Sequence, residues 1–143
     1  MAVSRPGTIP ARLRPGGSLK RSAGHPAPLI VAADGRLREF AATGPILGAW
    51  SDRTWNEHTL ELGTRETILA YTDGVTDARG RRERYGVERL RRLLASHASA
   101  PPGELVDAVD AALDGFAERA RGDDTALLAL RRAGPAAGTA ADA

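Results

Sequence analysis

Short apolar runs of strand length, separated by turn residues, precede helical patterns in this 143-residue chain and indicate a fold that mixes strands with helices. Leu29–Val31 and Thr67–Thr72 are apolar and partly β-branched, as buried strands are, and the Asp-Gly pair after the first run predicts a hairpin. Alternation within Trp55–Leu62 predicts a half-exposed strand, and Thr125–Leu130 predicts a final buried one.

Two amphipathic helices are predicted between the strands at Thr67–Thr72 and Thr125–Leu130, because apolar residues recur there at helical spacing. Ser99 is the predicted N-cap of the second helix, with Pro101 and Pro102 in its first turn. The apolar stripes are Leu90 and Leu94 in the first helix and Leu105, Val109 and Leu113 in the second. We expect the stripes to cover strand residues that form the core, namely Ile68, Leu69, Leu127, Leu128 and Leu130. Strands, then helices, then a strand indicate an α+β protein with a mainly antiparallel sheet.

The composition sets the domain boundaries that we expect. Apolar residues make up 42% and charged residues 27% of the chain, which is typical of a globular domain. Residues 1–17 combine Pro, Gly and Arg without periodicity and are predicted to form a basic disordered arm. Residues 133–143 are rich in Ala and Gly and are predicted to be a disordered tail, which leaves 18–132 as the folded part.

Composition also excludes several function classes. The chain has no Cys, which excludes disulfides, thiolate zinc sites and a Cys nucleophile. No run approaches the ~18 apolar residues of a membrane span, and no signal-like segment follows the first basic residues, so we expect a cytoplasmic protein without a membrane partner. The net charge is only +2, and a nucleic-acid interpretation would depend on the basic arm alone, so no nucleic-acid partner is predicted.

Carboxylates stand at the ends of two predicted buried strands. Asp73 and Gly74 follow the strand that ends at Thr72, and Asp123 and Asp124 precede the last strand. Mg²⁺ and Mn²⁺ prefer oxygen ligands, and a strand end can fix their position. The alternatives are an Asp that caps its own turn in the first case and a polar loop entering a strand in the second.

Two other charged clusters have less specific interpretations. Arg79, Arg81, Arg82 and Arg84 form either an exposed loop or a site that attracts phosphate. The acidic residues of the second helix lie off its apolar stripe and are interpreted as a solvated face, formed by Asp107, Asp110 and Asp114.

Five blocks of sequence, in order, resemble one protein family. They are Ala23–Ile30, Thr43–Gly48, Leu69–Ala78, Tyr85–Gly86 and Gly122–Leu130. Together they are similar to the C-terminal part of the metal-dependent (PPM, type 2C) protein serine/threonine phosphatases, in the branch of the bacterial stage II sporulation phosphatases. The resemblance covers roughly Ser18 to Arg132.

The resemblance implies an αββα sandwich of two antiparallel sheets with flanking helices. It implies hydrolysis of phosphoserine or phosphothreonine by a water that two Mn²⁺ or Mg²⁺ ions activate, with no catalytic group beyond the metal ligands. By motif, Asp73 and Asp123 match metal ligands, Asp124 is an auxiliary ligand or neighbour, and Gly74 completes the metal-binding element. A phosphorylated protein, such as an anti-sigma factor antagonist, is the implied partner.

The sequence departs from the family pattern ahead of Asp73. The family's first half carries a Gly-Asp element and an Asp-Val-x-Gly-His-Gly element, and neither occurs in residues 1–72. We therefore expect a partial sandwich without the N-terminal half of the family fold, from a truncated or frameshifted gene or as a natural half-domain. Such a chain is expected to be impaired alone and to dimerise or to need a complementing fragment. The alternative is a non-catalytic, phosphatase-like binding or regulatory module.

Overall fold

The computed structural model describes residues 18–20, 25–40, 58–117 and 124–132. Its elements, in chain order, are β1 (Ser18–Lys20), β2 (Leu29–Val31), β3 (Leu37–Glu39), β4 (His58–Leu60), β5 (Thr67–Tyr71), α1 (Asp73–Thr76), α2 (Val87–Ser96), α3 (Pro102–Phe116) and β6 (Leu127–Arg131). The predicted order of strands, two long helices and a final strand is confirmed. The one-turn helix α1 was not predicted, because four residues are too few to show a helical period.

The strands form two antiparallel sheets. One sheet has four strands in the order β3-β2-β5-β6, and the other pairs β1 with β4. The turn between β2 and β3 contains Gly35 at a φ of 85°, a left-handed conformation that glycine adopts without a steric penalty. In the register of the large sheet, Leu29 pairs with Leu69, which pairs with Ala129. The α+β class with antiparallel sheets is therefore confirmed.

The core lies between one face of the large sheet and the helices α2 and α3. Side chains alternate along β5, so Thr67, Leu69 and Tyr71 are buried on this face. The predicted helical stripes complete the core: Leu90, Leu94, Leu105, Val109 and Leu113 are all fully buried. The acidic residues of α3 are exposed, as the interpretation of a solvated face requires, at Asp107, Asp110 and Asp114.

Two leucines on the side of β6 that faces away from α2 and α3 are not in the core, contrary to the prediction. Leu128 and Leu130 are 56% and 51% exposed, although the apolar run predicted that both are buried. They alternate with Leu127 and Ala129, which pack against the helix-facing core. Because α2 and α3 cover only one face of the sheet, a continuous apolar run places half of its residues on the side that the helices do not reach.

Helix α3 begins differently from the prediction. Pro101, and not Ser99, occupies the N-cap position, and no side-chain cap is present. The Ser99 hydroxyl donates instead to the carbonyl of Ala33, at 3.5 Å. The predicted disordered segments 1–17 and 133–143 lie outside the described residues. Among the described helices, none has the length and apolar character that a membrane crossing needs.

Candidate metal site at the ends of β5 and β6

A threonine hydroxyl joins the end of β5 to the start of β6. The backbone N–H of Thr72 donates to the Ala126 carbonyl at 3.1 Å. The Thr72 hydroxyl accepts from the backbone N–H of Ala126 at 3.0 Å and donates to the Asp124 carbonyl at 3.1 Å. The Thr72 side chain therefore extends the β5–β6 pairing past the last strand residues. It also fixes the backbone of Asp124 beside Thr72, the residue directly before Asp73.

The helix α1 orients Asp73 at this junction. The chain turns into helix directly after β5, and the N–H of Asp77 donates to the Asp73 carbonyl at 2.7 Å. Val75 is fully buried in the core, which anchors the turn. The Asp73 side chain is exposed on the other side of the same turn. The burial of Val75 thus holds the turn in place while the Asp73 carboxylate remains in solvent.

Gly74 permits a close backbone approach. A Cβ atom built on Gly74 would lie 2.6 Å from the carbonyl oxygen of Asp124 and 3.4 Å from the Thr125 hydroxyl. A real Cβ does not approach a backbone oxygen so closely, so any side chain here would push α1 and the start of β6 apart. The glycine of the Asp-Gly pair is therefore required by the contact between the two acidic segments.

The residues at this junction fit a divalent cation that binds oxygen. Asp73 and Asp124 provide exposed carboxylates on adjacent backbone segments, and Mg²⁺ is commonly held by one or two carboxylates with water completing its shell. The Thr125 hydroxyl oxygen is buried there and has no hydrogen-bond partner among the residues that the structure describes. No group of three or more His, Asp or Glu side chains suited to a metal occurs within the described ranges.

Three of the four predicted site residues lie on the two backbone segments that touch at this junction. Gly74 lies against the Asp124 carbonyl and Asp73 precedes Gly74 in the chain, whereas Asp123 lies outside the described residues. The sequence analysis missed Thr72, whose hydroxyl makes the junction. Its position between an apolar strand and an acidic residue was visible, but its partners are more than fifty positions away in the chain.

The environment changes from apolar core to solvent between Tyr71 and Asp73. Burial raises the pKa of the Tyr71 hydroxyl, and the nearby Glu39 carboxylate adds to this while Arg91 opposes it. The tyrosine is 5% exposed. Two residues later the Asp73 side chain is in solvent, so the step from apolar core to charged site takes place within Tyr71–Asp73.

Comparisons with known proteins identify the same part of the chain. The family model of stage II sporulation protein E matches residues 21–133. Protein IcfG of Synechocystis sp. is 32% identical over 113 residues, which are 78% of this chain and 18% of that protein. The structure of the RsbU and RsbW domains of a Mycobacterium tuberculosis protein is 32% identical with a TM-score of 0.69, over 84% of this chain and 33% of that one.

Two more distant structures share the fold. The SiaA-PP2C domain of Pseudomonas aeruginosa has a TM-score of 0.67 at 23% identity, over 81% of this chain and 46% of that one. The PP2C phosphatase domain of SpoIIE from Bacillus subtilis has a TM-score of 0.67 at 13% identity, over 81% of this chain and 34% of that one. The chain thus spans less than half the length of each of these structures. Its antiparallel sheet and flanking helices are those of PP2C phosphatase domains, as the resemblance implied.

Proposed function

Because the chain belongs to the stage II sporulation protein E family and has part of a PP2C phosphatase fold, we propose that it contributes to the active site of a metal-dependent protein serine/threonine phosphatase. The observation that carries the proposal is the close approach of the backbone segments that bear Asp73 and Asp124, with Gly74 against the Asp124 carbonyl. A function that needed only a stable sheet would not require acidic residues on both sides of this contact.

In this proposal Asp73 and Asp124, together with Asp123, hold Mn²⁺ or Mg²⁺ through carboxylate oxygens. When bound there, such a cation would supply Lewis acidity toward a water and positive charge beside the phosphoryl oxygens of the substrate. The protein's own contribution is positional: the Thr72 hydroxyl fixes Asp124, and the buried Val75 fixes the turn that presents Asp73. Gly74 lets the backbone of α1 lie against the Asp124 carbonyl, which brings the two acidic segments side by side.

The remaining ligands of a two-metal site are proposed to come from another segment. Residues 1–72 hold neither of the acidic elements that the family resemblance implies for its first half. Two metals close together need carboxylates on both sides to offset their mutual repulsion. We therefore infer that these 143 residues alone turn over substrate slowly and gain activity when a segment with the acidic elements is added.

The proposed substrate is a phosphorylated cytoplasmic protein. The family resemblance implies a phosphorylated anti-sigma factor antagonist as the partner, and a similar structure that carries RsbU and RsbW domains in one protein supports a regulatory protein as the substrate. This assignment of partner and compartment is part of the proposal.

The metal site is tested first by binding and then by turnover. Isothermal titration with Mn²⁺ should show saturable binding to the 143-residue chain, lost in Asp73→Asn and retained in Asp107→Asn, whose carboxylate lies on the exposed face of α3. Equal binding by all three proteins would refute the site.

Turnover of a generic phosphate ester with Mn²⁺ then tests the phosphatase itself. We expect slow turnover by the chain, an increase when a polypeptide with the missing acidic elements is added, and none in Asp73→Asn. If neither the chain nor the mixture turned over substrate, the non-catalytic binding module would be the better interpretation.

A further inference from the structure

A short basic hairpin, residues 77–86, follows the candidate site directly. Its two arms are joined by backbone hydrogen bonds of 2.9 Å from Tyr85 to Ala78 and from Gly80 to Glu83. A third bond of 2.9 Å, from the N–H of Gly86 to the Thr76 carbonyl, closes its base on α1. Residues 81–82 form the tip. The basic hairpin is therefore a defined structure that projects from the end of α1.

The basic hairpin is mounted on an aromatic cluster. A Cβ atom on Gly80 would lie 2.8 Å from the ring of Phe116, so the hairpin backbone lies directly against α3. Phe116 meets Tyr85 edge to face, with ring centroids 5.3 Å apart. The Arg89 guanidinium covers the Phe116 ring at 5.0 Å from its centroid. These contacts hold the hairpin in one orientation relative to Asp73.

The acidic residues of the hairpin are already paired, which leaves an excess of positive charge. Asp77 binds Arg84 at 2.8 Å, and Glu83 binds Arg89 at 2.7 Å. Arg79 and Arg82 are exposed and form no ion pair with any residue that the structure describes. Exposed guanidinium groups on a fixed backbone suit carboxylates, which they bind through two parallel N–H groups.

The position of the hairpin fits a substrate that extends beyond the site. Helix α1 is a single turn, about 6 Å long, and Arg79 comes three residues after its last residue, so the two arginines lie within about 10–25 Å of Asp73. Successive residues of an extended peptide are about 3.3 Å apart. A peptide with its phosphoryl group at Asp73 would thus reach the hairpin with side chains about three to seven residues away.

The exposed residues of the basic hairpin favour an acidic peptide over a nucleic acid as its ligand. The basic hairpin is short, and neither Tyr85, which is only 5% exposed, nor the partly buried Phe116 beneath it offers a free ring face for base stacking. Resting on the proposed phosphatase function, we propose that the basic hairpin docks an acidic segment of the phosphoprotein substrate. Arg79 and Arg82 bind carboxylates of that segment on one side of the phosphorylated residue.

Binding of two labelled peptides to the 143-residue chain tests the docking surface. Both peptides carry one phosphoserine, and a run of Glu in the first is replaced by Gln in the second. Fluorescence anisotropy at an ionic strength of about 0.01 M, where screening is weak, should show the Glu peptide binding about tenfold more tightly. At about 0.15 M the difference should shrink.

Matched variants separate the hairpin from general charge. Arg79→Gln with Arg82→Gln should remove the preference for the Glu peptide. Arg36→Gln with Arg132→Gln removes the same charge at the opposite end of the sheet and should keep the preference within about twofold. Circular dichroism should show unchanged folding for both double variants. Equal affinity for the two peptides, or an equal loss in both variants, would overturn the proposal.

Two further arms distinguish this proposal from its premise. Asp73→Asn should keep the preference for the Glu peptide over the Gln peptide, because both carry the same phosphoserine, so docking can be confirmed even if the phosphatase assignment fails. If the unmodified chain were an active phosphatase but bound the Glu and Gln peptides equally, docking would be refuted and the phosphatase function would stand. Tighter binding of a single-stranded oligonucleotide, lost with Arg79 and Arg82, would overturn the peptide assignment in favour of nucleic acid.

Discussion

The two ends of the β5–β6 strand pair differ in how their polar groups are satisfied. At the end away from the candidate site, here called the far end, the Arg131 guanidinium donates to the Thr67 hydroxyl at 2.6 Å and to the carbonyls of Ala98 at 3.1 Å and Ala100 at 2.5 Å. At the other end, the site end, one Thr72 hydroxyl makes the junction, and the carboxylates beside it are exposed.

A second arginine repeats the pattern at the far end. Arg38 donates to the Glu66 carboxylate at 2.6 Å and to the Glu61 carbonyl at 2.9 Å, and Glu66 also accepts from the N–H of Gly63 at 2.8 Å. The charged groups of the far end thus hold loops to the sheet. At the site end, main-chain atoms and a neutral hydroxyl hold the strands, so the junction does not depend on the Asp73 carboxylate.

The largest effect on stability is expected for Gly74→Ala at the site end. The new Cβ would meet the Asp124 carbonyl at 2.6 Å and push α1 from β6, which should lower the free energy of unfolding by about 2–3 kcal/mol. Urea unfolding measures the change. Gly103→Ala in α3, where nothing lies within 4 Å, is the control and should be neutral or stabilising by up to about 1 kcal/mol. Equal effects would mean that the close approach is absent in solution.

Arg131→Gln should have the next largest effect, at the far end. The change removes charged hydrogen bonds to Thr67 and to the loop between α2 and α3, and should cost about 1.5–2 kcal/mol in chemical unfolding. Arg36→Gln, an exposed arginine in the β2–β3 turn, should change stability by less than about 0.5 kcal/mol. A similar cost for both would show that the Arg131 contacts contribute nothing.

A pH-dependent effect is expected for Glu66. The hydrogen bond from Arg38 holds the pKa of the Glu66 carboxyl below its ordinary value of 4.5, although partial burial opposes this. A lowered folded-state pKa means that the stabilisation is present above pH 4.5 and is lost as the pH falls through the folded-state pKa. Glu66→Gln should therefore cost about 1 kcal/mol at neutral pH and progressively less in acid. A cost independent of pH would contradict the ion pair.

The smallest effect is expected on the side of β6 that the helices do not cover. Leu128, near the site end, and Leu130, near the far end, are 56% and 51% exposed, so replacing either with Ala should cost less than about 1 kcal/mol. Differential scanning calorimetry of the two variants should give nearly equal melting temperatures. A cost of about 2–5 kcal/mol for Leu128→Ala would restore the predicted core position and show that another element covers this face.

Local patterns in the sequence were enough to predict most of the strands and helices and the family resemblance. Alternation and helical stripes are local signals, because they follow from the geometry of single strands and helices, and they located β5, β6, α2 and α3 within a few residues. The resemblance, carried by blocks such as Leu69–Ala78 and Gly122–Leu130, identified the phosphatase fold.

Contacts between residues that are distant in the chain could be read only from the packed structure. The Thr72 hydroxyl and the Asp124 carbonyl are 52 positions apart, and no local pattern records that they bond. An apolar residue in a strand shows that burial is favourable but not which face a neighbour covers, so Leu128 was predicted wrongly. The carbonyls that bind Arg131 exist as a group only after α2 and α3 have packed, since backbone polar groups carry no sequence identity.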